Sequence, residues 1–172
     1  MIPISFAAPG ELIWSKIPHR RGFELKQNGE VVARLNKPSL WSCSMQAEGQ
    51  GGRWTLSRTG FWRNTTVAVD DGSKATVASL KRCWSGVGTL KFSDGQTFRV
   101  SPTGFWRTVW EVKSDSGRLL MRIKSRKKRV ELLSQEGVSG SRATLLALLA
   151  WQCIRQEEED AAAAAIAVVV SS

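Results

Sequence analysis

Twelve residues near the C-terminus, Ala143 to Ile154, constrain the fold more than any other part of the chain. Ten of them are apolar, and only Thr144 and Gln152 interrupt the run ATLLALLAWQCI. A helix that is apolar on every side must be buried on every side. The residues before it show no helical periodicity, so we expect the helix to lie inside a β-barrel. We predict a helix over about residues 142–156, with an N-cap at Ser139 or Ser141.

The preceding part of the chain reads as antiparallel strands joined by turns. Asn-Gly, Asp-Gly and Ser-Gly pairs separate strand-like segments, and such pairs supply the positive φ angles of tight hairpin turns. They are Asn28-Gly29, Asp71-Gly72, Asp94-Gly95 and Ser116-Gly117. About a dozen strands fit between Glu11 and Leu133. That number favours closure into a barrel or a sandwich, because open sheet edges invite unwanted pairing.

Length and charge indicate one globular domain with a basic surface. We expect a single barrel domain over residues 1–156, followed by an acidic and then Ala/Val-rich tail over 157–172. Residues 1–140 hold 23 Lys and Arg against 11 Asp and Glu, whereas the remainder is slightly acidic. A body of this charge attracts nucleic acid, anionic lipid or an acidic protein. Most of the eight Trp residues are expected to be buried or half-buried.

The pentapeptide TGFWR occurs twice, at Thr59–Arg63 and Thr103–Arg107. Similarity extends to the flanking residues, which indicates internal self-similarity with a period near 44 residues. We interpret Thr-Gly as a bend and Phe-Trp-Arg as the start of a strand with one ring facing inward. Two copies of a structural corner are more natural than two copies of a catalytic motif.

The layout resembles the tubby C-terminal-like superfamily, which includes tubby proteins, phospholipid scramblases and LURP-one-related proteins. The resemblance covers about residues 11–156 and is closest to small, stand-alone members. It is carried by the segments FELKQNGEVVARL, TTVAVDDGSKATVASL, VWEVKSDSGRLLMRI and ATLLALLAWQCI. It implies a closed barrel of about twelve strands around a hydrophobic C-terminal central helix. Tubby barrels bind phosphoinositide head groups, but no residues here match theirs position by position, so that activity is not carried over.

The segment RIKSRKKRVELL provides the best candidate for a binding site. On a strand, Arg122, Lys124, Arg126 and Lys128 would share one face, with the other two cations opposite or in a turn. We predict an anion-binding site, and the alternative is a solvated basic hairpin that protects a sheet edge. Its residues are Arg122, Lys124, Arg126, Lys127, Lys128 and Arg129.

Catalytic, metal and cofactor sites are not indicated. His19 is the only histidine and lies in a loop-like basic stretch, and Asp70-Asp71 belong to a turn. The three cysteines are widely spaced, which predicts reduced and mostly buried thiols; an activated Cys83 would need a nearby base. No phosphate-binding glycine motif is present, so we expect no cofactor and no enzyme activity.

We therefore expect a non-catalytic binding or scaffold module whose basic surface contacts anionic membrane lipid. Two alternatives remain: a nucleic-acid-binding module that uses Trp and Arg side chains, and a protein-interaction scaffold without an anionic ligand. No apolar run is long enough to span a bilayer, and the N-terminus does not resemble a signal peptide. We expect a cytoplasmic protein, peripheral to a membrane under the lipid hypothesis.

Overall fold

Twelve strands and one helix make up the fold. The structure is a computed structural model that describes residues 1–2, 4–5, 12–39, 42, 44–60, 64–135 and 137–170. The strands are β1 (Leu12–Lys16), β2 (Gly22–Gln27), β3 (Glu30–Asn36), β4 (Ser44–Gly49), β5 (Gly52–Thr59), β6 (Thr65–Asp70), β7 (Thr76–Arg82), β8 (Gly88–Phe92), β9 (Thr97–Thr103), β10 (Val109–Ser114), β11 (Leu119–Lys124) and β12 (Arg129–Leu132). The helix α1 follows over Gly140–Val170.

Each strand pairs antiparallel with its sequence neighbours, and β1 pairs with β12 to close the sheet. The closing register places Leu12 opposite Val130 and Ile13 opposite Arg129. Side chains alternate between the inside and the outside, as in β8, where Gly88, Leu90 and Phe92 are buried and the residues between them are exposed. The predicted closed barrel of about twelve strands is confirmed.

The predicted hairpin turns lie where the sequence indicated, with one difference in geometry. Asn28 and Gly29 have φ angles of 52° and 86°, which suit a two-residue turn between β2 and β3. Gly95 and Gly117 also have positive φ. Asp71-Gly72 does lie between β6 and β7, but in that longer connection the left-handed residue is Lys74, with a φ of 58°.

Helix α1 passes through the barrel. It begins after Ser139, whose carbonyl accepts a hydrogen bond from the Ala143 N–H at 2.7 Å, and this agrees with the first of the two predicted N-caps. From Ala143 to Ile154 no residue is more than 7% exposed. The Trp14 and Trp151 rings stack with centroids 5.1 Å apart, so the helix packs directly against the inner wall of the sheet.

The sequence predicted the helix to end near residue 156, but the structure continues it to Val170. Glu157 is half-buried, and the residues from Glu158 to Ala165 are exposed. At 3.6 residues per turn, the exposed residues 158–165 alone form about two turns beyond the barrel wall. The acidic run therefore marks the mouth of the barrel rather than the end of the helix.

The barrel has two distinct ends because every second connection in an up-and-down barrel lies on the same side. The helix-entry end comprises the connections 28–29, 50–51, 71–75, 93–96, 115–118 and 133–139. The helix-exit end comprises the connections 17–21, 37–43, 60–64, 83–87, 104–108 and 125–128. Ion pairs with α1 mark both ends: Arg142 with Asp94 at the entry and Arg107 with Glu157 at the exit.

Candidate anion-binding surface

Positive charge is concentrated at the helix-exit end. The described residues of its six connections include no Asp or Glu and hold seven cations: Arg20, Arg21, Lys37, Arg107, Arg126, Lys127 and Lys128. The described residues of the helix-entry connections hold three aspartates and two cations: Asp71, Asp94, Asp115, Lys74 and Arg118. Helix α1 adds four carboxylates at the exit end, Glu157–Asp160, and these pair with Arg82, Arg107 and Arg155. The other six connection cations still leave an excess of positive charge there, which would attract an anionic partner.

The predicted basic run is divided between a strand and a turn. Arg122 and Lys124 lie on the outer face of β11, as the strand pattern predicted. Arg122 Nη2 donates to Glu111 Oε1 at 3.3 Å, and Lys124 Nζ pairs with Glu131. These two cations are largely neutralised by carboxylates on the adjacent strands. The structure thus brings them into cross-strand ion pairs rather than onto an open cationic face.

Arg126, Lys127 and Lys128 form the β11–β12 turn at the exit end instead of continuing a strand face. Arg126 and Lys127 are exposed, and Lys128 is half-buried. Within the part of the chain that the structure describes, none of these three side chains forms an ion pair. Arg129 starts β12 and lies opposite Lys124 in the sheet. The turn is the part of the predicted site that presents uncompensated charge.

A second cationic cluster escaped the sequence reasoning. His19, Arg20 and Arg21 from the β1–β2 connection line one cleft of about 420 Å³ together with Lys37 from the β3–β4 connection. The Lys37 N–H donates to the Arg21 carbonyl at 2.7 Å, which holds the two loops together. In the sequence, KIPHRRG indicates only a loop-like basic stretch, because Lys37 belongs to a different hairpin.

Three residues in the exit-end loops that are not glycine adopt the left-handed backbone conformation. His19, Arg107 and Lys128 have φ angles of 55°, 50° and 54°, a conformation that glycine adopts without strain. For other L-residues this conformation costs roughly 1–2 kcal/mol each. Three loops of the exit end therefore keep a cationic or titratable side chain at a position where glycine would be more favourable.

An ion-pair clamp connects two exit-end loops to the helix. Arg107 Nη1 lies 3.0 Å from Glu157 Oε1, and Arg107 Nη2 donates to the Ser85 carbonyl at 2.5 Å. Arg82 Nη1 pairs with Glu157 Oε2 at 3.4 Å, and the other Arg82 nitrogen pairs with Asp160. These contacts, which we call the exit clamp, fix the β7–β8 and β9–β10 loops relative to the emerging helix.

Three aromatic side chains project from the clamped loops. Trp84 is 93% exposed, Phe105 is 90% exposed and Trp106 is 77% exposed. The prediction that Phe-Trp-Arg begins a strand with one ring inward is wrong for the second copy, because β10 begins only at Val109. In the first copy, Phe61–Arg63 lies outside the described residues.

The bends of the two copies correspond, as predicted. Thr59 ends β5 and Thr103 ends β9, and the following Gly60 and Gly104 have φ angles of 88° and 72°.

The expectation that most Trp residues are buried or half-buried holds for four of the described ones: Trp14, Trp54, Trp110 and Trp151. It fails for Trp84 and Trp106, which are exposed. Trp41 and Trp62 lie outside the described residues.

The remaining reactive groups have structural surroundings. Asp70 accepts hydrogen bonds from the Ser73 N–H and Oγ at 2.7 and 2.8 Å, and these bonds hold the pKa of its carboxyl below the ordinary value. Burial raises the pKa of the Cys153 thiol to about 12. Cys83 is exposed, so the prediction of buried thiols is wrong there, and Cys43 lies outside the described residues.

On the outer wall, hydrogen bonds from Lys113 and then Arg122 hold the pKa of the Glu111 carboxyl below its ordinary value. Among the described residues, no group of three or more His, Cys, Asp or Glu side chains could hold a metal ion.

The comparisons with known proteins found no matching family model, no matching curated protein and no matching solved structure. Over the described residues, no helix is both long and apolar enough to cross a bilayer.

Proposed function

We propose that this protein is a non-catalytic binding module whose helix-exit end contacts the anionic lipid head groups of a membrane surface. The observation that carries the proposal is the excess of positive charge at this end. The exit-end connections hold seven described cations and no described carboxylate, and the helix carboxylates Glu157–Asp160 at the same mouth are already paired with Arg82, Arg107 and Arg155. Basic side chains near an anionic membrane each contribute about 1 kcal/mol of attraction. Several such side chains in one plane suit a flat, charged surface.

Much of the outer wall is a poorer candidate because its cations are paired with carboxylates. Glu24 accepts from Arg34 Nε at 2.9 Å, and Glu48 accepts from Arg53 Nε at 3.2 Å. Glu111 lies between Lys113 and Arg122 in the same way. A nucleic acid that ran along these strands would meet ion pairs, whereas a membrane would meet only the exit end. On β7–β9, Lys81, Lys91 and Arg99 form no ion pair among the described residues, so competition with DNA must separate the two ligands.

The interior of the barrel supports the non-catalytic part of the proposal. Leu146, Leu149 and Cys153 of the helix are fully buried, and Trp151 fills the space against Trp14. Active sites of small-molecule enzymes need a concave pocket with convergent polar groups. Here the lumen holds side chains of the protein itself.

We also propose that the chain is a small member of the tubby C-terminal-like superfamily, located in the cytoplasm and peripheral to a membrane. The closed twelve-stranded barrel with a C-terminal helix is compatible with that family and supports the assignment. The phosphoinositide-binding residues of tubby proteins are not transferred to this chain. The proposed binding surface rests on the exit-end cations alone.

The test is co-sedimentation with phosphatidylserine-containing vesicles, compared with pure phosphatidylcholine vesicles. The variant Arg126→Gln/Lys127→Gln/Lys128→Gln should weaken binding roughly a hundredfold, since three cations at about 1 kcal/mol each correspond to about 3 kcal/mol. The matched control is Arg122→Gln/Lys124→Gln, which removes paired cations from the outer wall and should change binding little.

Lys128→Gly separates binding from stability. Glycine adopts the left-handed conformation of Lys128 without strain, so the free energy of unfolding should rise by roughly 1 kcal/mol. Because one cation is lost, the affinity for acidic vesicles should fall. Equal loss of binding in the turn variant and its control would contradict the turn as the contact. Absence of binding to acidic vesicles, or displacement of bound protein by single-stranded DNA, would contradict the lipid proposal and favour a protein scaffold or a nucleic-acid module, respectively.

A further inference from the structure

The exposed aromatic side chains of the exit end are not explained by attraction between charges. Trp84, Phe105 and Trp106 are the three described aromatic side chains with large exposed areas, and all lie in exit-end loops. Phe105 and Trp106 pack edge to face with centroids 5.3 Å apart, so they form one apolar tip. Side chains of this size are normally buried, and clustered exposure indicates an interaction surface.

The same end carries a second apolar feature. Helix α1 leaves the barrel beside these loops, and its residues Ala161–Ala165 are exposed. The sequence then continues with Ile-Ala-Val-Val-Val over 166–170. This apolar extension is too short to span a bilayer, but about ten residues at 1.5 Å each reach the depth of one leaflet.

The exit clamp makes the apolar features parts of one rigid unit. Arg107 follows Trp106 directly, and its guanidinium contacts both Ser85, next to Trp84, and Glu157 of the helix. The loops and the helix are thereby held in a fixed relation before any partner arrives. Such preorganisation lowers the entropic cost of binding.

We infer that the exit end does not merely adsorb to an anionic bilayer but inserts Trp84 and the Phe105–Trp106 tip into its interfacial layer, beside the apolar helix extension. The inference rests on the proposed function and adds the mode of contact. Trp prefers the membrane–water interface, where its ring is apolar and its N–H remains hydrated. The flanking cations, Arg126–Lys128 and Arg20–Arg21, select a lipid surface that carries negative charge.

Cys83 provides a direct probe because it is exposed beside Trp84, whereas burial keeps the Cys153 thiol protonated and unreactive. An environment-sensitive fluorophore on Cys83, in a Cys43→Ser background, should shift to the blue when phosphatidylserine vesicles are added. Lipids with a spin label high in the acyl chain should quench it. The control is Ser116→Cys at the helix-entry end, in a Cys43→Ser/Cys83→Ser background, where neither change is expected.

Affinity provides the second readout. Phe105→Ala/Trp106→Ala should weaken vesicle binding by on the order of tenfold or more and leave a binding that high salt abolishes. Leu133→Ala, an exposed apolar side chain at the entry end, serves as the matched control and should bind like the wild type.

The outcomes separate this inference from the proposed function. Binding to acidic vesicles without a spectral shift, or full affinity of the Phe105/Trp106 variant, would overturn insertion and leave the proposed surface contact standing. Lack of binding to acidic vesicles would overturn both. Self-association in the absence of lipid that Phe105→Ala/Trp106→Ala abolishes would assign the aromatic tip to a second copy of the chain and overturn insertion.

Discussion

The threading of the helix through the barrel can be tested at one close approach between them. Gly49 at the end of β4 faces Thr144 of α1, and a Cβ built on Gly49 would overlap the Thr144 Cγ2 methyl. Thr144 is fully buried, and its hydroxyl donates to the Gly140 carbonyl at 3.0 Å, so the methyl has little freedom to move. We therefore predict that Gly49→Ala destabilises the protein through this overlap.

The expected loss of unfolding free energy can be worked out from the overlap and from a second substitution, Thr144→Ser, that relieves it. Overpacking of this kind costs about 1–3 kcal/mol, reduced by the fraction of a kcal/mol that alanine contributes by restricting the unfolded chain. Thr144→Ser removes the methyl, keeps the hydroxyl and should cost about 1 kcal/mol on its own. In the double variant the alanine methyl takes over the vacated space, so the total cost should be smaller than the sum by about 1–2 kcal/mol.

Urea unfolding of the four proteins, followed by circular dichroism and Trp fluorescence, measures this coupling. Gly49→Ala/Thr144→Val is the control, because valine keeps a methyl at the site and should not restore stability. In thermal melts, each kcal/mol should correspond to about 2–4 °C for a chain of this size. Additivity within about 0.5 kcal/mol would show that Thr144 does not pack on Gly49, and the proposed register of the helix in the barrel would be refuted.

Four further predictions concern burial and charge. Leu148→Asp should abolish folding, because an unpaired buried charge costs several kcal/mol. The control Ala163→Asp, on the exposed extension, should change the unfolding free energy by less than about 0.5 kcal/mol. A folded Leu148→Asp variant would disprove the central helix. A thiol reagent should modify Cys83 in the native protein and Cys153 only after unfolding. Because the folded pKa of Cys153 is raised, its contribution to stability should be lost as pH rises from 9 towards 12, and Cys153→Ala should lack this loss. The lowered pKa of Glu111 gives stability that is lost as pH falls below its ordinary value of 4.5, so Glu111→Gln should flatten the acid limb of the stability curve, and an unchanged limb would contradict the ion pairs.

The fold could be predicted because its two strongest signals are local. Turn pairs such as Asn28-Gly29 depend on backbone angles of one or two residues, and the apolar segment Ala143–Ile154 requires burial wherever it lies. The helix length could not be predicted in the same way. The sequence argument ended the helix where burial ended, but alanine and glutamate favour helix without any packing, so α1 continues past Glu157.

The candidate surface was only partly predictable because it depends on strand register. Arg122 and Lys124 belong to the same basic run as Arg126, but the register places Glu111 and Glu131 beside the first two. The cluster of Arg21 and Lys37 joins two different hairpins, which no local pattern reveals. In addition, the four turn pairs that mark hairpins all lie at the helix-entry end. The turns that could be predicted therefore belong to the end with less positive charge.

The up-and-down topology also connects the repeated pentapeptide to the proposed surface. The two Thr-Gly bends follow β5 and β9, which are four strands apart, and an even separation places both connections at the same end. In the described copy the loop carries Phe105, Trp106 and the clamp residue Arg107. The clamp and the exposed rings give this structural corner a place in the proposed binding surface. The motif can therefore serve both the scaffold and the proposed function.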